Sequence, residues 1–254
     1  MADMFDYTGK TALITGAASG IGAACARFLS ERGVAKLILT DLDEAGLHAL
    51  DLGCATSRLV GDVTDPEHWT RVAPYLANLD SAVLNAGVAS GSAIVDTSFG
   101  EWRRVLGTNL DGAFLSLRET LRAIVDGGSV VLTASITGVK AEPGTAAYGA
   151  SKAGVLQLMK VAAKEVAPRG IRVNAIAPGG VDTPIWDQTP FFIDLVSKHG
   201  GDRAAALAEM ARMATPLGRY ATAGEIAAQI GFLLSDAAAT ITGAVLSSDG
   251  GYSL

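Results

Sequence analysis

Apolar runs of strand length alternate with helix-length periodic segments along nearly all of the 254 residues. Thr11–Thr15, Ile21–Arg32, Lys36–Thr40, Glu44–Leu50, Arg58–Gly61, Glu67–Leu76 and Ser81–Asn85 read β-α-β-α-β-α-β. The rhythm continues with a helix at Glu101–Val125, a strand at Ser129–Ala134, a helix at Tyr148–Ala167, a strand at Ile171–Ile176, a helix at Ala223–Ser235 and a strand at Ala244–Ser247. Right-handed crossovers between parallel strands place helices on both faces of a sheet, so such strands are apolar on both sides, as Leu37-Ile38-Leu39 and Val130-Val131-Leu132 are. The expected fold class is α/β, a doubly wound parallel β-sheet flanked by helices on both faces, in one domain spanning 1–254.

Composition removes several alternatives. Hydrophobic residues at 49% and charged residues at 18% exclude a disordered chain, and the 30 glycines follow no collagen-like period. A net charge of -6 without a basic block argues against nucleic acid or a membrane surface as partner. The first seven residues carry Asp3 and Asp6 where a secretory leader carries bases, and the longest uncharged stretch, between Asp80 and Asp96, is made polar by Asn85, Ser90 and Ser92. A cytoplasmic protein is expected. Cys25 and Cys54 are too few for a disulfide framework or a four-cysteine zinc site, and both are expected as buried free thiols. His48, His68 and His199 lack metal-ligand spacing, so no metal is expected and solvated or capping roles are assigned to all three.

Gly179–Thr215 interrupts the rhythm with Pro184, Pro190, a Gly200-Gly201 break and short helical pieces. A connection this long just after a strand end reads as a substrate-binding lid. Its apolar residues, among them Ile185, Trp186, Phe191, Phe192 and Ile193, either line a substrate pocket or pack the segment onto the body or another subunit. Met210 and Met213 share a helical face and are expected to complete packing.

Thr15-Gly-Ala-Ala-Ser-Gly-Ile-Gly22 stands where the first strand turns into the first helix. Gly16 permits the tight turn, Gly20 lets backbone approach a diphosphate at the positive helix end, and Gly22 allows close packing; Ser19 and Ile21 complete the loop. No Gly-Lys-Ser/Thr ending follows, which disfavours an ATPase. Asp41 ends the second strand about 20 residues later, where an acid binds adenosine ribose hydroxyls and repels a 2′-phosphate. Neither Ser19 nor Leu42 supplies a cation, so NAD is favoured over NADP; the bland alternative for Asp41 is a helix cap. Asp62, next to Val63, either accepts from an adenine amino group or caps the Asp65-Pro66 helix start. Asn85-Ala86-Gly87 closes the fourth strand, with Gly87 near the cofactor and Asn85 tying strand ends together, unless both are simple turn formers.

Ser135, Tyr148 and Lys152 form the decisive set. Tyr148 and Lys152 share a helix face at i, i+4, and the preceding strand ends at Ser135, at the carboxyl edge where a nicotinamide lies. A phenol titrates near 10, so Lys152 and a nicotinium charge would stabilise the phenolate and make Tyr148 a base near neutrality, with Ser135 bonded to the substrate oxygen. Asn109, between the poor helix formers Gly107 and Gly112, marks a local irregularity able to hold water.

On Thr15-Gly-x-x-x-Gly-Ile-Gly22, Asn85-Ala-Gly87, Asn109, Ser135, Tyr148-Gly-Ala-Ser-Lys152, Pro178-Gly179, Val181-Asp-Thr183 and Asp249-Gly-Gly251, the chain resembles the single-domain short-chain dehydrogenases/reductases over essentially its whole length. The resemblance implies a Rossmann-like fold, Tyr148 as acid/base, Lys152 on the nicotinamide ribose, Ser135 orienting substrate and Asn109 supporting a water-linked proton relay. It also implies Val181 and Thr183 at the carboxamide, beside Pro178 and Gly179, and a homotetramer built on the two long helices and the last strand. Two departures stand out: Leu84 replaces a first asparagine found in many members, and Asp65–Asp80 is short for the family's third helix.

The expected function is hydride transfer between NAD(H) and a medium-sized, largely apolar secondary alcohol or ketone, cyclic, terpenoid, steroid-like or aryl, with Ile185 and Trp186 as lid contacts. A sugar or cyclic-diol dehydrogenase remains open through polar contacts from Lys140, Glu142 and Gln188, as does a 3-oxoacyl reductase. From a different class comes a noncatalytic NAD-binding sensor. Lys140 and Glu142 equally fit a plain surface loop.

Overall fold

The structure is a computed structural model that describes residues 5–254, except for the side chains of Gln188 and Pro190. Gln188 as a substrate contact therefore lies outside the described residues. Seven parallel strands, β1 (Thr11–Thr15), β2 (Lys36–Asp41), β3 (Ala55–Val60), β4 (Leu79–Leu84), β5 (Ile124–Thr133), β6 (Arg172–Pro178) and β9 (Val245–Ser248), form one sheet in the order β3-β2-β1-β4-β5-β6-β9. Two short strands, β7 (Val181–Asp182) and β8 (Ala221–Thr222), pair apart from it. This is the Rossmann-like, doubly wound arrangement, and the order reverses between β1 and β4, which opens a crevice at the carboxyl ends of those strands.

Helices α1 (Gly20–Ser30) and α9 (Ala223–Leu234) cover one face, where Cys25, Ala26 and Leu29 meet Ile226, Ala227 and Ile230 in one core. The approach is close enough that a Cβ on Gly231 would meet the Phe28 ring at 2.3 Å. On the other face α5 (Gly112–Ala123) and α6 (Ala146–Val166) bury Leu115, Leu117, Val155 and Met159 against Val130 and Leu132. Two further helices, α2 (Glu44–Ala49) and α3 (Pro66–Val72), complete the first half. α9 opens with a capping box, in which Thr222 accepts from the Glu225 N–H and Glu225 accepts from the Thr222 N–H.

Several boundaries differ from the sequence reading. The expected helix at Glu101–Val125 is α4 (Phe99–Leu106), one π turn at Gly107–Asp111, and α5, which stops at Ala123. β5 begins at Ile124, five residues before Ser129. Ile124 pairs with Leu79, the segment around Gly127 (φ +80°) bulges out, and pairing resumes between Ser81 and Ser129. Periodicity cannot see a strand interrupted by such a bulge. The 179–215 segment holds more helix than short pieces, with α7 (Pro190–Lys198) and α8 (Arg203–Ala214) packed through Phe192, Leu195, Ala206 and Leu207.

Candidate active site

The first turn of the crevice is set by contacts only glycine permits. Gly16 has φ +64°, and a Cβ there would stand 2.8 Å from Ala86 Cα; one on Gly22 would stand 2.0 Å from Gly16 O. Gly22 thus packs against its own turn as much as against the sheet. The ends of β1 and β4 are tied by Thr15 Oγ1, which accepts from Asn85 N at 2.9 Å and Ala86 N at 3.1 Å, while Asn85 Nδ2 donates to Gly16 O at 3.2 Å. The sequence reading gives Thr15 no role of its own, although it opens the glycine motif. Ser19 precedes α1 with an exposed side chain that makes no cap bond. Ile21 packs into the α1–α9 core.

At the end of β2, Asp41 accepts from Ala18 N at 2.9 Å through one oxygen and from Asp43 N at 3.0 Å through the other. The capping alternative is corrected: Asp43 caps α2 by accepting from Gly46 N. Asp65 likewise caps α3, accepting from Glu67 N and His68 N, while Asp62 accepts from Thr64 N at 2.8 Å. Leu42 is exposed. Val63 is buried under α5, and its carbonyl accepts from Trp69 Nε1.

The reacting side is built on β5, the π turn and α6. Asn109 is buried in the π turn, where the extra residue turns its side chain across to the chain after β4. Its Oδ1 accepts from Val88 N at 2.8 Å, and its Nδ2 donates to Val88 O and Ser151 Oγ, both at 3.0 Å. Ser151 Oγ in turn donates to Tyr148 O at 2.7 Å, so one buried hydroxyl joins the π turn to the helix bearing Tyr148. The sequence reading misses Ser151, although it lies three residues after Tyr148 on the same face. Gly87 faces both Asn109 Oδ1 and Lys152 Nζ, at 3.1 and 3.3 Å from the position of an added Cβ.

Ser135 leaves β5 as the N-cap of a short turn at Ile136–Gly138, and its hydroxyl accepts from Thr137 N at 3.2 Å. Tyr148 is pushed above its ordinary pKa by burial, and a hydrogen bond with Ser135 works in the opposite direction. Lys152 is fully buried, donates to Thr133 O at 2.9 Å, and stands 5.7 Å from the centre of the Tyr148 ring. Burial lowers its pKa to about 8. Desolvation thus works against the charged form of both side chains, and the expected stabilisation of the phenolate rests on Lys152 acting together with a nicotinium charge.

Gly179 N donates to Ser248 O at 2.9 Å beside Pro178, fixing the exit of β6. Thr183 is buried with its methyl 3.4 Å from the position of a Cβ on Gly20, so the root of the 179–215 segment touches the glycine turn. Arg203 fastens that root, bonding Asp182, Asp187 and Thr183 O. Trp186 donates from Nε1 to Val181 O at 2.8 Å and stacks on Tyr220 with ring centres 5.8 Å apart, while Ile185 is exposed. Phe192 is buried, but Phe191 and Ile193 are exposed.

Other residues depart from expectation. Cys25 is buried, with its thiol pushed up to about 12, whereas Cys54 is only half-buried. His68 is buried rather than solvated, because its Nε2 lies 2.7 Å from Thr40 Oγ1 beneath the sheet end. His48 is exposed, and His199 pairs with Glu209 at 2.7 Å. Met210 packs within the 179–215 segment but Met213 is exposed, since the buried face of α8 runs through Ala206, Leu207 and Ala211. Lys140 and Glu142 are both engaged by Tyr252. Among the described residues no cluster of three or more His, Cys, Asp or Glu is placed to hold a metal, and no helix is long and apolar enough to cross a membrane.

These features fit a nicotinamide dinucleotide. The positive-φ turn at Gly16 feeds the amino end of α1, where a diphosphate is favoured, and Asp41 stands one strand away for a ribose. Gly87 brings bare backbone up to Asn109 and Lys152, a surface that a cofactor ring can approach without a side chain in the way.

Comparison with known proteins agrees with this geometry. The family described as enoyl-(acyl carrier protein) reductase matches residues 16–253. The chain is 38% identical to cis-4-hydroxycyclohexanecarboxylate dehydrogenase of Sinomonas cyclohexanicum, over 97% of each chain. It is 36% identical to the 3-oxoacyl-acyl-carrier-protein reductase FabG of Escherichia coli, over 97% of this chain and 98% of that one. Among solved structures, L-sorbose reductase from Gluconobacter frateurii complexed with NADPH and L-sorbose superposes with a TM-score of 0.89 at 29% identity, covering 98% of each.

Proposed function

The chain belongs to the short-chain dehydrogenase/reductase family, and on that premise we propose that it interconverts a medium-sized, largely apolar secondary alcohol and its ketone with NAD(H), ring alcohols foremost. The observation that carries this reading is the convergence of Ser135, just past the carboxyl end of β5, with Tyr148 and buried Lys152 on α6, where Ser135 lowers and burial raises the phenol pKa and the Lys152 ammonium lies 5.7 Å from the Tyr148 ring centre. A 38% identical relative named for a hydroxycyclohexane acid supports the cyclic substrate class, and the exposed Ile185 beside Trp186 supports an apolar lid over 179–215.

Ser135 and Tyr148 bind the carbinol oxygen between them. In oxidation Tyr148 removes the hydroxyl proton as hydride leaves the carbinol carbon, and in reduction it returns the proton to the carbonyl oxygen. The nicotinamide, when bound, supplies the hydride acceptor or donor. Lys152 binds its ribose and places positive charge beside the phenol, and Asn109 orders the water-linked proton path behind Ser151. Gly16, Ser19, Gly20, Ile21 and Gly22 hold the diphosphate, Asp41 and Leu42 the adenosine ribose, and Asp62 and Val63 the adenine. Asn85, Ala86 and Gly87 flank the nicotinamide side, with Pro178, Gly179, Val181 and Thr183 at the carboxamide. The Asp41 carboxylate supports NAD over NADP through repulsion of a 2′-phosphate.

We also assign the protein, on 1–254 as one domain, to the cytoplasm as a homotetramer. The half-buried thiol of Cys54 suits a reducing compartment, and exposed Phe114 on α5 and Val161 on α6 suit faces that meet another subunit. A second reading, reduction of 3-oxoacyl carrier substrates, is favoured by the 36% identity to FabG, and is opposed by Asp41 and the net charge of -6.

The test follows absorbance at the nicotinamide band with NAD or NADP and a panel of ring, aryl and terpenoid alcohols, sugars and 3-oxoacyl substrates. Tyr148→Phe is expected to lower turnover by about 10²- to 10⁴-fold while leaving NAD binding intact. Near-normal turnover in that variant, or activity confined to acyl substrates with NADPH, overturns the reading.

A further inference from the structure

The chemistry above leaves two segments unused, the loop leading from the Ile136–Gly138 turn into α6 and the last residues of the chain, yet these are fastened to each other. Lys140 N donates to Ile136 O at 2.8 Å, which holds the residue one turn beyond Ser135. Its Nζ donates to Tyr252 O at 2.7 Å and lies 4.0 Å from the centre of the Tyr252 ring. The Tyr252 hydroxyl donates to Glu142 Oε2. One aromatic residue thus takes up both charges of the loop, the ammonium on its ring face and carbonyl, the carboxylate on its hydroxyl.

Tyr252 is held in turn by the strand end behind it. Asp249 accepts from Gly251 N at 3.0 Å and Ser253 N at 2.9 Å through its two carboxylate oxygens, and from Tyr252 N at 3.2 Å through its carbonyl. Leu217 N donates to Gly250 O at 3.1 Å, which ties the same tail to the chain just after α8. The tail therefore joins the far root of the lid to the loop that follows Ser135.

We propose that Tyr252 is a specificity-determining positioning residue that keeps Lys140 and Glu142 off the substrate, so that the site accepts uncharged ring alcohols and disfavours those carrying a carboxylate. The proposal rests on the functional reading above. A carboxylate entering an apolar pocket loses hydration and needs a cation in return. The ammonium five residues from Ser135 is already committed, and Arg203 at the root of the lid is committed to Asp182 and Asp187.

The experiment compares kcat/KM for cyclohexanol and cis-4-hydroxycyclohexanecarboxylate with NAD in wild type, Tyr252→Ala, Tyr252→Phe, Lys140→Met and the Tyr252→Ala/Lys140→Met double variant. Wild type is expected to favour cyclohexanol. Tyr252→Ala removes the ring that faces the ammonium while its main-chain carbonyl still accepts from Lys140, and should move the ratio toward the carboxylate by about two- to threefold, mainly through KM, as a loosened ammonium turns toward the anion. The double variant should restore the wild-type ratio. Tyr252→Phe keeps the ring and carbonyl on Lys140 and releases Glu142 alone, so its ratio should not move toward the carboxylate, and Lys140→Met should stay within about twofold of wild type. General damage to the fold lowers both substrates together and does not move the ratio. The proposal is overturned by a wild-type preference for the carboxylate, by an unchanged ratio in an active Tyr252→Ala, or by selective loss of carboxylate oxidation in Lys140→Met. That last arm stands even if Tyr252→Ala does not fold. Oxidation of neither alcohol by wild type overturns the functional reading itself, and this proposal with it, a result distinct from any change of ratio.

Discussion

Lys152 offers a direct measurement of how burial and charge compete in the site. Its ammonium is buried, with Thr133 O as its hydrogen-bond acceptor, and burial lowers its pKa from 10.5 to about 8. Below pH 8 the group is charged in both the folded and unfolded chain, and the folded state bears the whole desolvation cost. Between pH 8 and 10.5 the unfolded chain binds the proton that the folded chain has released, so the contribution of Lys152 to stability rises with pH. At about 1.4 kcal/mol per pKa unit, the cost at pH 7 is about 3 kcal/mol, of which about 2 kcal/mol is recovered by pH 10.

Lys152→Met keeps most of the side-chain volume and removes the titration. Urea unfolding of both proteins, without nucleotide and at one fixed protein concentration, should show the methionine variant equal to or more stable than wild type at pH 7, with wild type gaining about 2 kcal/mol on it by pH 10. Cys25, raised to about 12, and Tyr7, raised by burial, both lower stability in alkali, but they do so in both proteins and cancel in the difference. A difference that stays flat within about 0.5 kcal/mol, or that moves in favour of the variant as pH rises, would refute the claim that desolvation governs this lysine.

Asn109→Ala removes the three hydrogen bonds of a buried side chain, to Val88 N, Val88 O and Ser151 Oγ, and should lower the unfolding free energy by about 2–3 kcal/mol. Asn109→Asp keeps the acceptor for Val88 N and should fall between; a loss below about 1 kcal/mol in the alanine variant, read by urea melts, contradicts the clamp. Asp41→Ala frees Ala18 N and Asp43 N, should cost about 1–2 kcal/mol of stability, and should raise kcat/KM with NADP relative to NAD by at least about tenfold. Preference of wild type for NADP would defeat the argument from Asp41.

Much of the candidate site is legible in the sequence because its residues sit on local patterns. Tyr148 and Lys152 share one face by helix periodicity alone, and the Gly107–Gly112 window announces the irregularity that the fold resolves as a π turn under Asn109. The parallel sheet follows from strands apolar on both faces, and β1 spans Thr11–Thr15 as read. What stays hidden depends on long-range contact. Thr15 is joined to Asn85 and Ala86 across 70 and 71 residues, and Tyr252 to Lys140 and Glu142 across 112 and 110, separations at which no periodicity is informative. The capping roles of Asp43 and Asp65 escape a reading that offers them to Asp41 and Asp62, because Asp41-x-Asp43 and Asp62-x-x-Asp65 each place two aspartates within one turn of the helix start, and backbone geometry decides between them.

The two shifts at the reacting end bear on the order of events. Burial pushes the Tyr148 phenol above its ordinary range and lowers the Lys152 ammonium to about 8, so desolvation by itself disfavours the charged form of both. With only its own groups the site therefore holds Tyr148 as an acid, suited to giving a proton to a ketone. Acting as a base near neutrality requires added positive charge beside Lys152, which oxidised nicotinamide carries and reduced nicotinamide does not. Alcohol oxidation should accordingly show ordered binding with NAD first, and kcat/KM for the alcohol should climb as pH rises through the range where the loaded site deprotonates. Ketone reduction should stay level across neutral pH and decline only in alkali. Steady-state rates in both directions from about pH 6 to 10, with deuterated alcohol to isolate the hydride step, test this; an oxidation rate that falls as pH rises from about 6 to 8 would show that a group other than Tyr148 takes the proton.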